Sequence, residues 1–233
     1  MFIGHLAAGF GAKAAKPSVS LGTLFLAAQF ADLLWPTLLL LGLEHVEIVP
    51  GITRLTPLDF TSYPISHSLL MLCLWGLLFG LVYWLIRKST KGALVLGLLV
   101  VSHWVLDLIV HRPDLPLYPG PSPQLGLGLW NSLPGTLVAE GLIFVIGLGL
   151  YLRVTKATNR AGLYGLWALV GFLILTYLGN VFGPPPPSST AIAWVGQSQW
   201  LLVGWAYWLD RNRVAHVRGG QEGERFSQAT GGA

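Results

Sequence analysis

Long apolar runs, broken by short polar stretches, make up most of this chain. Six runs reach the roughly 20 residues needed to cross about 30 Å of hydrocarbon: Leu21–Leu43, Ser66–Ile86, Gly92–Val110, Thr136–Val154, Ala161–Gly183 and Ala191–Leu209. Each predicts a helix, because an isolated spanning segment must satisfy its own backbone hydrogen bonds. Phe2–Ala12 is too short to span and fits a surface helix or a half-inserted one equally. The pattern therefore predicts an all-α, polytopic membrane bundle of six transmembrane helices with a short N-terminal helix. It forms one domain over residues 1–210, and the polar, Gly-rich stretch 211–233 reads as a flexible cytoplasmic tail. Gly76 and Gly80 form a small-xxx-small pair suited to close helix approach.

Composition agrees with the pattern. Apolar residues make up 53 % of the chain and charged residues only 10 %, against about 25 % charged in soluble domains. Low charge with high hydrophobicity also excludes a disordered chain. The single cysteine, Cys73, excludes a disulfide framework and a cysteine metal cluster. Of fourteen Lys and Arg residues, only Arg54 and Arg112 fall on one side of a six-span alternation. The crowded side is cytoplasmic by the positive-inside rule, which puts both termini inside. The basic residues are thus topology signals and not a nucleic-acid footprint. Residues 1–15 lack the basic start of a cleavable signal.

The candidate chemistry lies in ionisable residues within or beside the spans: His5, Asp32, His67, His103, Asp107, His111 and Glu140. A charged group at mid-bilayer costs at least about 2.5–3.5 kcal/mol, so such residues are functional candidates by default. In SHWVLDLIVH, residues His103, Asp107 and His111 recur every four positions and share one helix face. His-x-x-x-Asp offers a first-row metal one nitrogen and one oxygen ligand; it equally suits a hydrogen bond between helices. At 1.5 Å per residue, Asp32, His103, Asp107 and Glu140 lie roughly 18–24 Å from the nearest basic residue of the crowded side. His67 lies about 30 Å away and His5 about 12 Å. The set reads as a zinc-type site, or a two-metal one, opening away from the cytoplasm.

The segments GHLAAGFGAK, FADLLWP, SYPISHSLL and SHWVLDLIVH resemble, in order and spacing, a bacterial inner-membrane family known as membrane-bound metal-dependent hydrolases. The resemblance covers roughly residues 4–111. It implies that His5, Asp32, His67, His103 and Asp107 are metal ligands. The ligand order is also distantly similar to that of zinc-dependent phospholipases C. The chain departs from the family where Leu34 replaces a second Asp and where Ser62, Tyr63 and Pro64 replace a His-Arg-Gly.

Together these readings predict a divalent metal, most simply zinc, that activates water to hydrolyse a lipid-like ester or phosphoester. Asp32, His67, His103, Asp107, His5 and His111 are the candidate ligands. Glu140 is the candidate general base. Membrane lipid is the expected partner, entering sideways, and the apolar loop His111–Gly135 is expected to lie over the site. Two other classes fit the same residues: an ion- or proton-coupled transporter, and a non-catalytic membrane protein with a structural His/Asp knot.

Overall fold

A computed structural model describes residues 1–216. The chain begins with α1 (Phe2–Ala15), α2 (Leu21–Ala28) and α3 (Phe30–Leu40). A hairpin of β1 (His45–Ile48) and β2 (Leu58–Ser62) leads to the single turn α4 (Pro64–His67) and then to α5 (Leu69–Arg87) and α6 (Thr90–Val110). A second hairpin, β3 (Leu115–Pro116) and β4 (Gln124–Leu125), precedes a 3₁₀ turn at Leu129–Asn131 and α7 (Leu133–Val154). The rest comprises β5 (Thr155–Ala157), α8 (Arg160–Phe182), α9 (Ser189–Gln197), α10 (Gln199–Asp210) and β6 (Arg213–Ala215). The molecule is a helical bundle, as the pattern predicts, with three two-stranded antiparallel sheets added.

Four helices, α5 to α8, are long and apolar enough to cross a membrane. A fifth crossing is available if α2 and α3, bent by 56° at Gln29, count as one. The sixth expected run is divided at Ser198 into helices of nine and twelve residues, each shorter than a crossing. Side chains such as Leu77, Ile86, Leu98, Val145 and Leu175 stand exposed around the long helices. That outward apolar surface suits lipid and not water.

The long helices pack through glycine. A Cβ at Gly76 would sit 2.7 Å from the Gly97 carbonyl oxygen, and one at Gly80 would sit 2.9 Å from that of Ala93. The small residues thus let α5 and α6 touch backbone to backbone. Gly147 does the same for α7 against the Ala7 carbonyl of α1.

The N-terminal helix is neither surface-bound nor peripheral. Ile3, Leu6, Ala7 and Phe10 are buried in one core with Phe25, Phe144, Tyr151 and Leu166. Lys13 is buried too: its Nζ donates to the Val19 carbonyl at 2.7 Å and pairs with Asp210 at 3.1 Å. Asp210 also accepts from the Leu21 amide, gathering the ends of α1 and α10 and the start of α2 at one pole. Strand β5, between α7 and α8, pairs there with β6. The start of the expected tail is therefore strand, and residues 217–233 lie outside the described residues.

The opposite pole is a cap. Tyr63, Leu115 and Trp130 are buried, and the Arg54 and Leu55 amides both donate to the Trp130 carbonyl at 3.1 Å. Arg112, one of the two basic residues expected here, pairs with Asp59 and with Asp114, tying the hairpin β1–β2 to the end of α6.

Candidate metal centre

The cap covers a cluster in which Asp107 is central. On α6, His103 and Asp107 stand one turn apart, and Nε2 of His103 lies 3.2 Å from Asp107 Oδ2. The break between α2 and α3 delivers Asp32, whose Oδ1 is 3.7 Å from His103 Nε2 and 3.5 Å from His67 Nε2. His67 comes from α4, with its Nε2 4.0 Å from Asp107 Oδ2. Asp32, His67 and His103 each bring one ligand atom within 4.8 Å of the others, and Asp107 Oδ2 lies within 4.0 Å of both imidazoles. Ligands at 2.0–2.2 Å from one ion would lie about 3.3–3.6 Å apart, close to the 3.2–4.0 Å of these imidazole–carboxylate pairs.

The hydrogen bonds behind the imidazoles fix their tautomers. His103 Nδ1 lies 2.9 Å from the Ala28 carbonyl, which can only accept. The proton is therefore on Nδ1, and Nε2, buried without a hydrogen-bond partner, is a lone pair whenever the ring is neutral. For His67 the chain is longer. Glu44, buried, accepts from the amides of Ile65 and Ser66 and from the Ser66 hydroxyl at 2.5 Å. Having given its proton to Glu44, that hydroxyl accepts from His67 Nδ1 at 2.7 Å. In the neutral ring this again leaves the Nε2 lone pair facing the carboxylates of Asp32 and Asp107. Such a group is balanced either by protons on the imidazoles or by a cation between them. To a divalent metal it offers two nitrogens and two oxygens, with the histidines held from behind as metal-ligating histidines usually are.

The other oxygen of Asp107 faces a different group. His5 Nε2 lies 3.0 Å from Oδ1 and the Met1 amine 2.6 Å. The His5 ring stacks on His103 with centroids 3.6 Å apart. His5, expected to lie lower than the rest, is thus inside the cluster; with His103 and Asp107 it makes a second set of donors within 4.8 Å. His111 is more remote. Its Nε2 is 3.9 Å from Asp107 Oδ1, while its Nδ1 sits 2.9 Å from Asp114 and 3.3 Å from the Tyr63 hydroxyl. Burial, and next the Asp114 charge, hold the Tyr63 phenol well above the ordinary tyrosine range, so it remains a donor.

Glu140 is not in either converging group. Its carboxyl, on α7, is buried beside the first turn of α1, with Oε2 lacking a hydrogen-bond partner. A helix start is where an anion is favoured. Sequence reading missed Glu44 and Ser66. The signal available was an acid in the otherwise apolar LGLEHV, directly after a span.

The cluster meets its surroundings at one place. Asp32 keeps 22 % of its side-chain surface exposed, whereas His67, His103 and Asp107 keep 5 % or less. Elsewhere Trp130 closes over His111 at 4.2 Å and Trp35 borders His67 at 6.3 Å.

No family model, curated protein or solved structure matches this chain.

Proposed function

We propose that this chain is a multi-pass, metal-dependent hydrolase of a bacterial inner membrane, acting on a lipid-like ester or phosphoester. The observation that carries this reading is the pair of imidazole Nε2 atoms, on His67 and His103, each held from behind and each within 4.0 Å of both Asp32 and Asp107. Asp32, His67, His103 and Asp107 would hold the ion, with zinc the simplest choice for two imidazoles and two carboxylates. Such an ion, when bound, supplies Lewis acidity and lowers the pKa of water from 15.7 toward about 7.

The remaining work falls to the protein's own groups. Glu44 and Ser66 hold the His67 ring, and the Ala28 carbonyl holds that of His103. His5 donates to Asp107 and keeps its second oxygen turned away from the other ligands. Trp35, Phe60 and Trp130 exclude water from the capped side. A substrate approaches beside Asp32, the most exposed member of the cluster.

A lipid-like substrate is favoured because the surrounding helices expose apolar side chains, so what reaches Asp32 from the side arrives through hydrocarbon. In this reading the bent α2–α3 pair and the divided α9–α10 pair are the fifth and sixth spans. The pole bearing Lys13, Arg87 and Arg213 faces the cytoplasm, while Met1 lies buried against Asp107 at the other end of α1. Detergent-purified protein is expected to hold about one zinc or similar ion per chain by elemental analysis. It should also release product from a phospholipid or lysolipid in mixed micelles, with chelator stopping the release. Metal content unchanged after joint replacement of His103 and Asp107 by Ala would overturn the proposal.

A further inference from the structure

Away from the cluster, a cavity of about 600 Å³ lies between α2, α5 and the end of α10. It exists because α5 packs along α6, while α2 leans on α6 and α10, leaving the gap between α2 and α5 open. Its long walls are apolar: Leu26 and Phe30 on one side, Trp75, Leu78, Phe79 and Val82 on the other. One end is polar. There Ser20, Thr23 and Tyr207 form a hydroxyl row, with Ser20 to Thr23 at 2.7 Å and Thr23 to Tyr207 at 3.0 Å. Arg87 lines the same end; it is exposed and has no ion-pair partner among the described residues.

We propose that this groove binds one phospholipid with an anionic headgroup, its phosphate at Arg87 and the hydroxyl row and one acyl chain between α2 and α5. Three observations converge on that occupant. The groove opens on α5, a helix long and apolar enough to span, so hydrocarbon surrounds it. From Trp75 to Arg87 the wall rises about 18 Å, close to the roughly 15 Å of one leaflet. Among the described residues, the only charge in the lining is Arg87, at the end where a headgroup would lie. A basic residue near the membrane surface favours an anionic lipid by about 1 kcal/mol, or roughly fivefold. The proposal does not rest on the hydrolase reading, since none of the cluster residues lines this groove.

The test is lipid binding to the full-length, detergent-purified chain by native mass spectrometry, using phosphatidylglycerol and phosphatidylcholine with matched acyl chains. The wild type is expected to bind phosphatidylglycerol about fivefold better. Arg87→Gln should remove that preference, lowering phosphatidylglycerol binding more than phosphatidylcholine binding. Val82→Trp, which fills the groove from an exposed position, should reduce binding of both lipids. Equal binding of the two lipids by the wild type would overturn the proposal. So would a preference that survives Val82→Trp, because it would then reflect surface charge alone. A monodisperse elution profile for both variants keeps misfolding apart from these outcomes.

Discussion

Two buried acids on neighbouring long helices, Asp107 and Glu140, look alike by every local measure. Each sits within a span-length apolar helix, each is only 1 % exposed, and each reaches toward α1. Their partners separate them. Asp107 has imidazoles beside both oxygens, an arrangement that attracts a cation and orients it. Glu140 lies beside the first turn of α1 with Oε2 lacking a hydrogen-bond partner, an arrangement that places an anion at a helix start. Burial shows that an acid is costly; its surroundings show what that cost supports. Both acids meet α1: one holds its side chain His5 and the other lies against its first turn.

The largest expected effect comes from Asp107→Asn. It removes half the negative charge facing His67 and His103, so metal content should fall from about one ion per chain to background. Glu140→Gln should leave it unchanged. If Glu140→Gln empties the protein as completely, measured by elemental analysis of both variants side by side, the distinction between the acids is lost.

Next in size is Glu44→Gln. With the amide oxygen kept on the Ile65 and Ser66 N–H groups, the amide NH2 meets the Ser66 hydroxyl as a donor, so that hydroxyl's proton is no longer drawn away from His67. Loss of such a partner behind a metal-bound histidine typically weakens metal affinity 10–100-fold. Competition with a calibrated chelator measures this directly, and unchanged affinity would remove Glu44 from the site.

Glu140→Gln then has an effect of its own, on stability. Losing a carboxylate at a helix start costs about 0.3–1 kcal/mol, up to about 2 kcal/mol where the contact is partly buried. A lower Tm with full metal occupancy is the expected signature. A variant as stable as the wild type would mean that Glu140 does not hold α1.

How much of this was legible in the sequence depended on what each inference used as its ruler. The face shared by His103 and Asp107 follows from helical geometry alone, and the structure has it. The ends of α6, α7 and α8 fall within three residues of the expected ones. His5 lies deeper than its distance from Lys13 suggests, because Lys13 does not mark the membrane surface. Lys13 is buried against Val19 and Asp210, so α1 sits deeper than the count allowed. The bend between α2 and α3 was hidden by continuous hydrophobicity. The nearby Pro36 did give notice of a disturbed helix. Lacking an N–H, it cannot bond the Asp32 carbonyl, and Gln199 supplies the donor at 3.3 Å. Glu44 left no periodic trace at all, since a loop acid acquires meaning only from what folds over it.

The smallest effect sharpens the boundary of the cluster at His111. The Tyr63 hydroxyl lies 3.2 Å from Asp114, which His111 Nδ1 also approaches at 2.9 Å and Arg112 at 3.0 Å. Tyr63→Phe removes one of three donors to Asp114 and keeps the ring between Phe60 and His67. The expected cost is that of one hydrogen bond, about 0.5–1.5 kcal/mol, read as a modest fall in Tm. Because His111 stands 3.9 Å from Asp107 and turns its other nitrogen to Asp114, metal affinity should not change. A tenfold or larger loss of affinity in Tyr63→Phe would instead place His111 among the ligands. The group around Asp107 Oδ1 would then hold a cation of its own, and the comparison would be between two metal positions sharing one carboxylate.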